Sequence, residues 1–68
     1  MRVIYDRETD TLTLIFSDSK VAESDELREG MIIDYSDAGH IVSVEILDAS
    51  KHTSDPTEFV YELKEKSA

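Results

Sequence analysis

Hydrophobic residues fall into short β-branched runs separated by polar stretches, and the clearest pair of runs spans residues 31–47. The tetrapeptide Ser36-Asp37-Ala38-Gly39 divides this segment, and its glycine suits the left-handed position that follows a type I turn. The pattern therefore predicts a β-hairpin in which Ile32 lies opposite Val44. In that register both faces of the hairpin carry apolar side chains, and both need a covering layer.

The other runs predict further strands of the same sheet. Residues 2–6 and 11–17 form a first predicted hairpin, because Leu12 and Leu14 alternate with threonines. Residues 21–28 fit either a helical turn or a polar edge strand, and we favour the strand because charge on an edge blocks unwanted pairing. We expect an antiparallel β-meander of four to five strands, at about residues 2–6, 11–17, 21–28, 30–36 and 40–47.

The C-terminal part of the chain carries the pattern of a helix start. Asp55 is a good N-cap, the proline after it suits the first helical position, and Phe59, Val60 and Leu63 share one helical face. The sequence thus predicts a helix over about residues 56–66 that covers one face of the sheet. The expected fold class is α+β, with all 68 residues in a single small domain.

Composition and charge limit the partners of such a domain. Sixteen acidic residues against seven basic ones give a formal charge of −9, which repels nucleic-acid phosphates and anionic membranes, so we expect neither as a partner. The chain has no cysteine and a core too small to be robust, so a homodimer is the expected source of further burial. The lack of cysteine fits a reducing compartment, and no targeting or membrane-spanning run is evident, so we expect a cytoplasmic protein.

The hairpin also matches part of a calcium-binding loop. Asp34, Ser36, Gly39 and Glu45 occupy positions one, three, six and twelve of the EF-hand pattern. However, strands flank this loop where helices are required. Glu45 is expected opposite Met31, which places it roughly 10 Å from Asp34 at about 3.3 Å per residue. We therefore expect no metal site.

Carboxylates are numerous, but acid–base catalysis needs two of them in different environments within a cleft. No nucleophile stands at a readable spacing from a base, so we expect no enzyme activity, no catalytic residue and no cofactor. Glu45 is unusual because it lies between Val44 and Ile46. It is either a solvent-facing strand residue or a buried charge that needs a partner. The candidate functional or interface residues are Tyr5, Asp6, Asp10, Asp34, Tyr35 and Glu45.

Three motifs occur in order within residues 3–51. They are Tyr5-Asp6-x-Glu8-x-Asp10-x-Leu12, Gly30-x-Ile32-x-Asp34-Tyr35-x-x-x-Gly39-x-Ile41-Val42 and Glu45-Ile46-Leu47-x-Ala49-Ser50. Together they resemble the YuzE-like family of small prokaryotic domains of unknown function. Two positions depart from the family pattern: Ser43 stands where glycine is common, and Ala38 where an acidic turn residue is usual. The resemblance implies no activity, although some members look like companions of small toxins.

Three functions remain open from the sequence. The first is a noncatalytic protein-interaction module that associates with itself through the sheet. The second is an acidic, antitoxin-like partner of a small basic toxin, in which the negative charge attracts a basic protein. The third is a minor enzyme or metal binder that uses Glu45, Asp34 and Asp6.

Overall fold

A computed structural model describes residues 1–66 and shows one five-stranded antiparallel sheet. The strands are β1 (Arg2–Asp6), β2 (Thr11–Ile15), β3 (Glu23–Arg28), β4 (Met31–Tyr35) and β5 (Ile41–Ile46), followed by one 3-10 turn at Ala49–Lys51. The expected antiparallel sheet is confirmed. The ambiguous segment forms a strand, β3, and not a helical turn.

The predicted meander is wrong, because the strands lie in the order β1-β2-β5-β4-β3. β5 inserts between β2 and β4, and the chain that leaves β2 crosses to the far edge of the sheet before β3 begins. Apolar strands thereby occupy the centre. All six residues of β3 are exposed, and an edge is where a charged strand fits best, because it needs a pairing partner on one side alone.

The predicted C-terminal helix over residues 56–66 is also wrong, and the described part of the chain is all-β instead of α+β. Asp55 does act as a cap, since its Oδ1 accepts a hydrogen bond from the Thr57 amide at 3.0 Å. The turn ends at the bond from the Glu58 amide to the Asp55 carbonyl, at 3.1 Å. Aromatic and β-branched residues such as Phe59 and Val60 favour helix weakly, and a short helix without a packed face is unstable.

A β-bulge at Val42 corrects the predicted register of the main hairpin. Ile33 lies opposite Val44, and Ile32 lies opposite Glu45. Val42 is the additional residue on β5 that shifts the pairing by one position. Because strand side chains alternate, a one-residue shift moves every side chain of β4 to the other face relative to β5. The prediction that both faces are apolar is therefore wrong.

The bulge collects the apolar side chains on one side of the sheet, called here the apolar face. Its members are Val3, Tyr5, Leu12, Leu14, Met31, Ile33, Tyr35, Val44 and Ile46. The other side, called the polar face, carries mainly threonine, serine, aspartate and glutamate, with Ile4, Ile15 and Ile32 among them. Among the described residues, the buried hydrophobic side chains are Val42 and Ala49 alone. Both faces of the sheet are thus left uncovered.

Candidate interaction surface

The apolar face is built from rows of side chains that run across the strands. One row joins Val3 of β1, Leu14 of β2, Val44 of β5 and Ile33 of β4 through successive strand pairings. Each of these side chains is half-buried by its neighbours within the sheet. No helix or strand of residues 1–66 covers the outward side of the row, and Phe59 and Tyr61 line a cavity with Val3 at its β1 end. The molecule is correspondingly flat, with principal extents of 43 × 34 × 20 Å.

The exposed area of the chain is large for its size. The accessible surface is 5728 Å², whereas a compact monomer of 7.7 kDa exposes about 4,300 Å². The difference of about 1,400 Å² is close to what one subunit buries in an obligate dimer interface. The uncovered sheet and the exposed C-terminal residues contribute to this additional surface.

Tyr5 and Asp10 belong to a hydrogen-bond network that joins the 3-10 turn after β5 to the first hairpin. The Tyr5 hydroxyl donates to Asp10 Oδ1 at 2.6 Å. The Ser50 hydroxyl donates to Asp10 Oδ2 at 2.6 Å, and the Ser50 amide donates to Oδ1 at 3.1 Å. The Asp10 carbonyl also accepts the Ala49 amide at 2.9 Å. Asp10 therefore holds the 3-10 turn, 40 residues further along the chain, against the β1–β2 turn.

This network shifts the pKa values of both acidic groups in it. Hydrogen bonds from Ser50, and then from Tyr5, stabilise the carboxylate and hold the pKa of Asp10 below its ordinary value. The hydrogen bond to Asp10, followed by desolvation, raises the pKa of Tyr5. Asp10 has a left-handed backbone with φ of 53°, a conformation that aspartate tolerates better than most residues. The two residues thus have a structural role.

Asp34 forms a second network on the polar face. It lies in one row with Ser24 of β3 and Ser43 of β5. Its Oδ1 accepts the Ser24 hydroxyl at 2.5 Å, and its Oδ2 accepts the Ser43 hydroxyl at 2.6 Å. One carboxylate therefore joins three strands. Ser43, the residue that departs from the YuzE-like pattern, has a hydrogen-bonding role here.

Glu45 lies on the polar face between Ile32 and Thr13 and is half-exposed. Of the two alternatives for Glu45, the structure therefore shows a strand residue on a solvated face, and not a buried charge. With Asp6 and Asp48 it lines a shallow groove of about 600 Å³. Within residues 1–66, no group of three His, Cys, Asp or Glu side chains is placed to hold a metal ion.

The six candidate residues do not form one site. Tyr5 and Asp10 bond to each other, Asp6 and Glu45 line the same groove, and Asp34 lies between its two serines. Tyr35 lies at the end of β4, where its carbonyl accepts the Ala22 amide at 2.8 Å. Sequence reasoning did not find the partners Ser24, Ser43 and Ser50, because serines distant along the chain give no local signal.

A single sheet with one uncovered apolar face and no described helix defines the class: a small all-β domain. No helix of the described chain is long and apolar enough to cross a membrane. The sequence model of the DUF2283 family, a protein family of unknown function, matches residues 2–50, and the chain belongs to this family. Comparison with curated proteins and with solved structures found no match. The narrower YuzE-like name is not tested by the family match and stays a prediction.

The matched range has a structural explanation. Residues 2–50 include all five strands and end at Ser50, the residue that bonds Asp10. The C-terminal residues that leave the sheet lie outside the match. The family match therefore covers the whole sheet and the hydrogen bonds between Asp10 and Ser50.

Proposed function

We propose that this domain is a noncatalytic interaction module that associates with a second copy of itself through the apolar face. The observation that carries the proposal is the surface difference of about 1,400 Å² between this chain and a compact monomer of its mass. A subunit of a stable homodimer removes a similar area from water. A second copy is a suitable cover because a two-fold axis places the same apolar face on both sides of the contact.

Charge also affects this contact. Each chain carries −9, so two chains repel each other, and salt reduces that repulsion by screening. The apolar face carries no charge in its central strands β2, β5 and β4, whereas Glu23 and Asp25 lie on it in the edge strand β3. The acidic groups Asp6, Glu45 and Asp48 lie on the other side of the sheet. Association through the apolar face thus keeps most carboxylates in water.

Two adjacent residues of β2 provide the test. Leu14 lies on the apolar face between Val3 and Val44, whereas Thr13 lies on the polar face between Ile4 and Glu45. Leu14→Lys removes one leucine from each copy at a two-fold interface; because Leu14 is already half-buried in the single chain, the apolar loss is about 1.5–3 kcal/mol. The substitution also places two lysine charges in the contact, so the dissociation constant should rise about 100-fold or more. Thr13→Lys places the same charge on the other face and should leave the dissociation constant within about threefold of wild type.

Sedimentation equilibrium over a wide concentration range measures both variants. Circular dichroism establishes that each variant keeps the sheet, which is expected because both side chains are already partly exposed in the single chain. A wild-type chain that stays monomeric at millimolar concentration would contradict the proposal. Equal weakening by the two lysines would show that charge, and not the apolar face, controls association.

A second candidate function, an acidic partner of a small basic protein such as a toxin, is favoured by the edge strand β3. All of its residues are exposed, and Glu23, Asp25 and Glu26 occur within it. Its outer edge has unpaired backbone groups, so it can accept an extended basic segment as a further strand. The alternative of a minor enzyme or metal binder stays a prediction, as does the cytoplasmic location.

The salt dependence of association distinguishes the two candidate functions. Association with a basic partner should weaken as salt rises from 50 to 500 mM, because the attraction between opposite charges is screened. Self-association should strengthen over the same range. The measurement is a titration with a lysine-rich extended peptide, using Asp25→Lys as the β3 variant. If this variant binds the peptide as tightly as wild type, the edge strand is not the binding surface.

A further inference from the structure

The C-terminal segment, residues 57–66, exposes several large apolar side chains. Phe59, Val60, Tyr61 and Leu63 are 55–76% exposed. Among bonds between described residues, no backbone hydrogen bond involves a residue after Glu58. Large apolar side chains left in water are a costly arrangement, because their burial against another surface is favourable.

The position of this segment indicates which surface it extends. Phe59 and Tyr61 line one cavity of about 360 Å³ together with Met1 and Val3. Val3 lies on the apolar face, in the row that contains Leu14. Val60, between the two aromatic residues, does not line this cavity. The apolar face therefore continues past β1 onto the two aromatic side chains of the segment.

We propose that the C-terminal segment is part of the interface with the second copy, where Phe59 and Tyr61 pack against the partner's apolar face. This inference rests on the proposed self-association and names a second element that takes part in it. The single chain leaves both aromatics more than half exposed, so its own sheet does not cover them. The additional surface of about 1,400 Å² includes this segment, and a second copy that covers both the sheet and the segment accounts for it.

The aromatic side chains suit this role. Tyrosine and phenylalanine supply large rigid contact areas and are enriched where protein surfaces meet. A cap at Asp55 begins a turn, and the residues that follow it favour an extended backbone.

Neighbouring residues again provide a matched test. Tyr61→Ser removes an aromatic that continues the apolar face, and Val60→Ser removes an apolar side chain that does not line the cavity. Both residues are more than 60% exposed in the single chain, so neither substitution should unfold the sheet. Sedimentation equilibrium should show the dissociation constant raised at least about tenfold by Tyr61→Ser and less than about threefold by Val60→Ser.

A second pair, Phe59→Ser and Glu58→Ser, repeats the comparison two residues earlier in the chain. If both aromatic variants keep the wild-type dissociation constant while Leu14→Lys abolishes the dimer, this inference is wrong and the proposed function stands. If the aromatic variants associate more tightly than wild type, the segment covers its own sheet and the inference is overturned. If wild type is monomeric, the proposed function is wrong and the inference fails with it.

Discussion

Removal of the Asp34 carboxylate tests the structural role of the row that joins β3, β4 and β5. Asp34→Ala leaves the hydroxyls of Ser24 and Ser43 without their acceptor. Ser24 is exposed, so water replaces the lost bond at little cost. Ser43 is only 9% exposed, and a buried hydroxyl without a partner costs about 1–3 kcal/mol. We therefore expect Asp34→Ala to lower the free energy of unfolding by about 1–3 kcal/mol.

A double-mutant cycle separates this bond from other effects of the substitution. In a Ser43→Ala background no buried hydroxyl is left unpaired, so Asp34→Ala should cost less there by about 1 kcal/mol. Ser24→Ala is the exposed control and should change the free energy of unfolding by less than about 0.5 kcal/mol. Urea unfolding followed by circular dichroism measures all variants. It needs one fixed protein concentration, because self-association contributes to apparent stability.

Two results would refute this reasoning. One is an Asp34→Ala cost that is the same with serine or alanine at position 43, which would mean that the two side chains are not coupled. The other is a Ser24→Ala cost as large as that of Ser43→Ala. In that case burial would not determine which hydroxyl needs the carboxylate.

The remaining predictions concern the pH dependence of the Tyr5–Asp10 network. The fold lowers the pKa of Asp10 from its ordinary value of 3.8, so its contribution to stability is present above that value and is lost as the pH falls below it. Thermal unfolding between pH 2 and 7 should show a smaller acid-side loss for Asp10→Asn than for wild type, and equal losses would contradict the role of the carboxylate. The fold raises the pKa of Tyr5 from 10.0, so its contribution is present below that pH and is lost as the pH rises through the higher folded-state value. Tyr5→Phe should therefore have a flatter alkaline limb above pH 10.0, and a limb as steep as that of wild type would exclude the hydroxyl as its cause.

Local chemistry was sufficient to predict several features of the fold. The glycine at the main turn has φ of 82°, as the turn pattern requires, because residues without a Cβ adopt this region at little cost. The acid-rich segment before Gly30 lies at an edge as a strand, as its charge indicated. Asp55 accepts the Thr57 amide in a turn, but the helix that it was expected to begin is absent. Each of these features depends on residues only a few positions apart.

The candidate site was predicted less well, because its contacts join distant residues. The sequence singled out Tyr5, Asp10 and Asp34 but not what they bind. Ser50 lies 40 residues from Asp10, and its hydrogen bond depends on where β5 returns in the sheet. The spacing of residues along the sequence therefore does not predict the contact between Ser50 and Asp10.

Local patterns in the sequence were sufficient to place the strands, apart from the ambiguous segment before Gly30, and to predict the turn at Gly39 and the negative charge, because backbone preference and composition act locally. The order of the strands, the bulge at Val42 and the absence of the predicted C-terminal helix depend on the tertiary structure. Strand order depends on which apolar strands pair at the centre, and a single additional residue decides which side chains share a face. A capped helix start becomes a helix only where a surface is present to pack against it. The bulge at Val42 is the reason that a hairpin with apolar residues in both alternating sets belongs to a sheet with one apolar face.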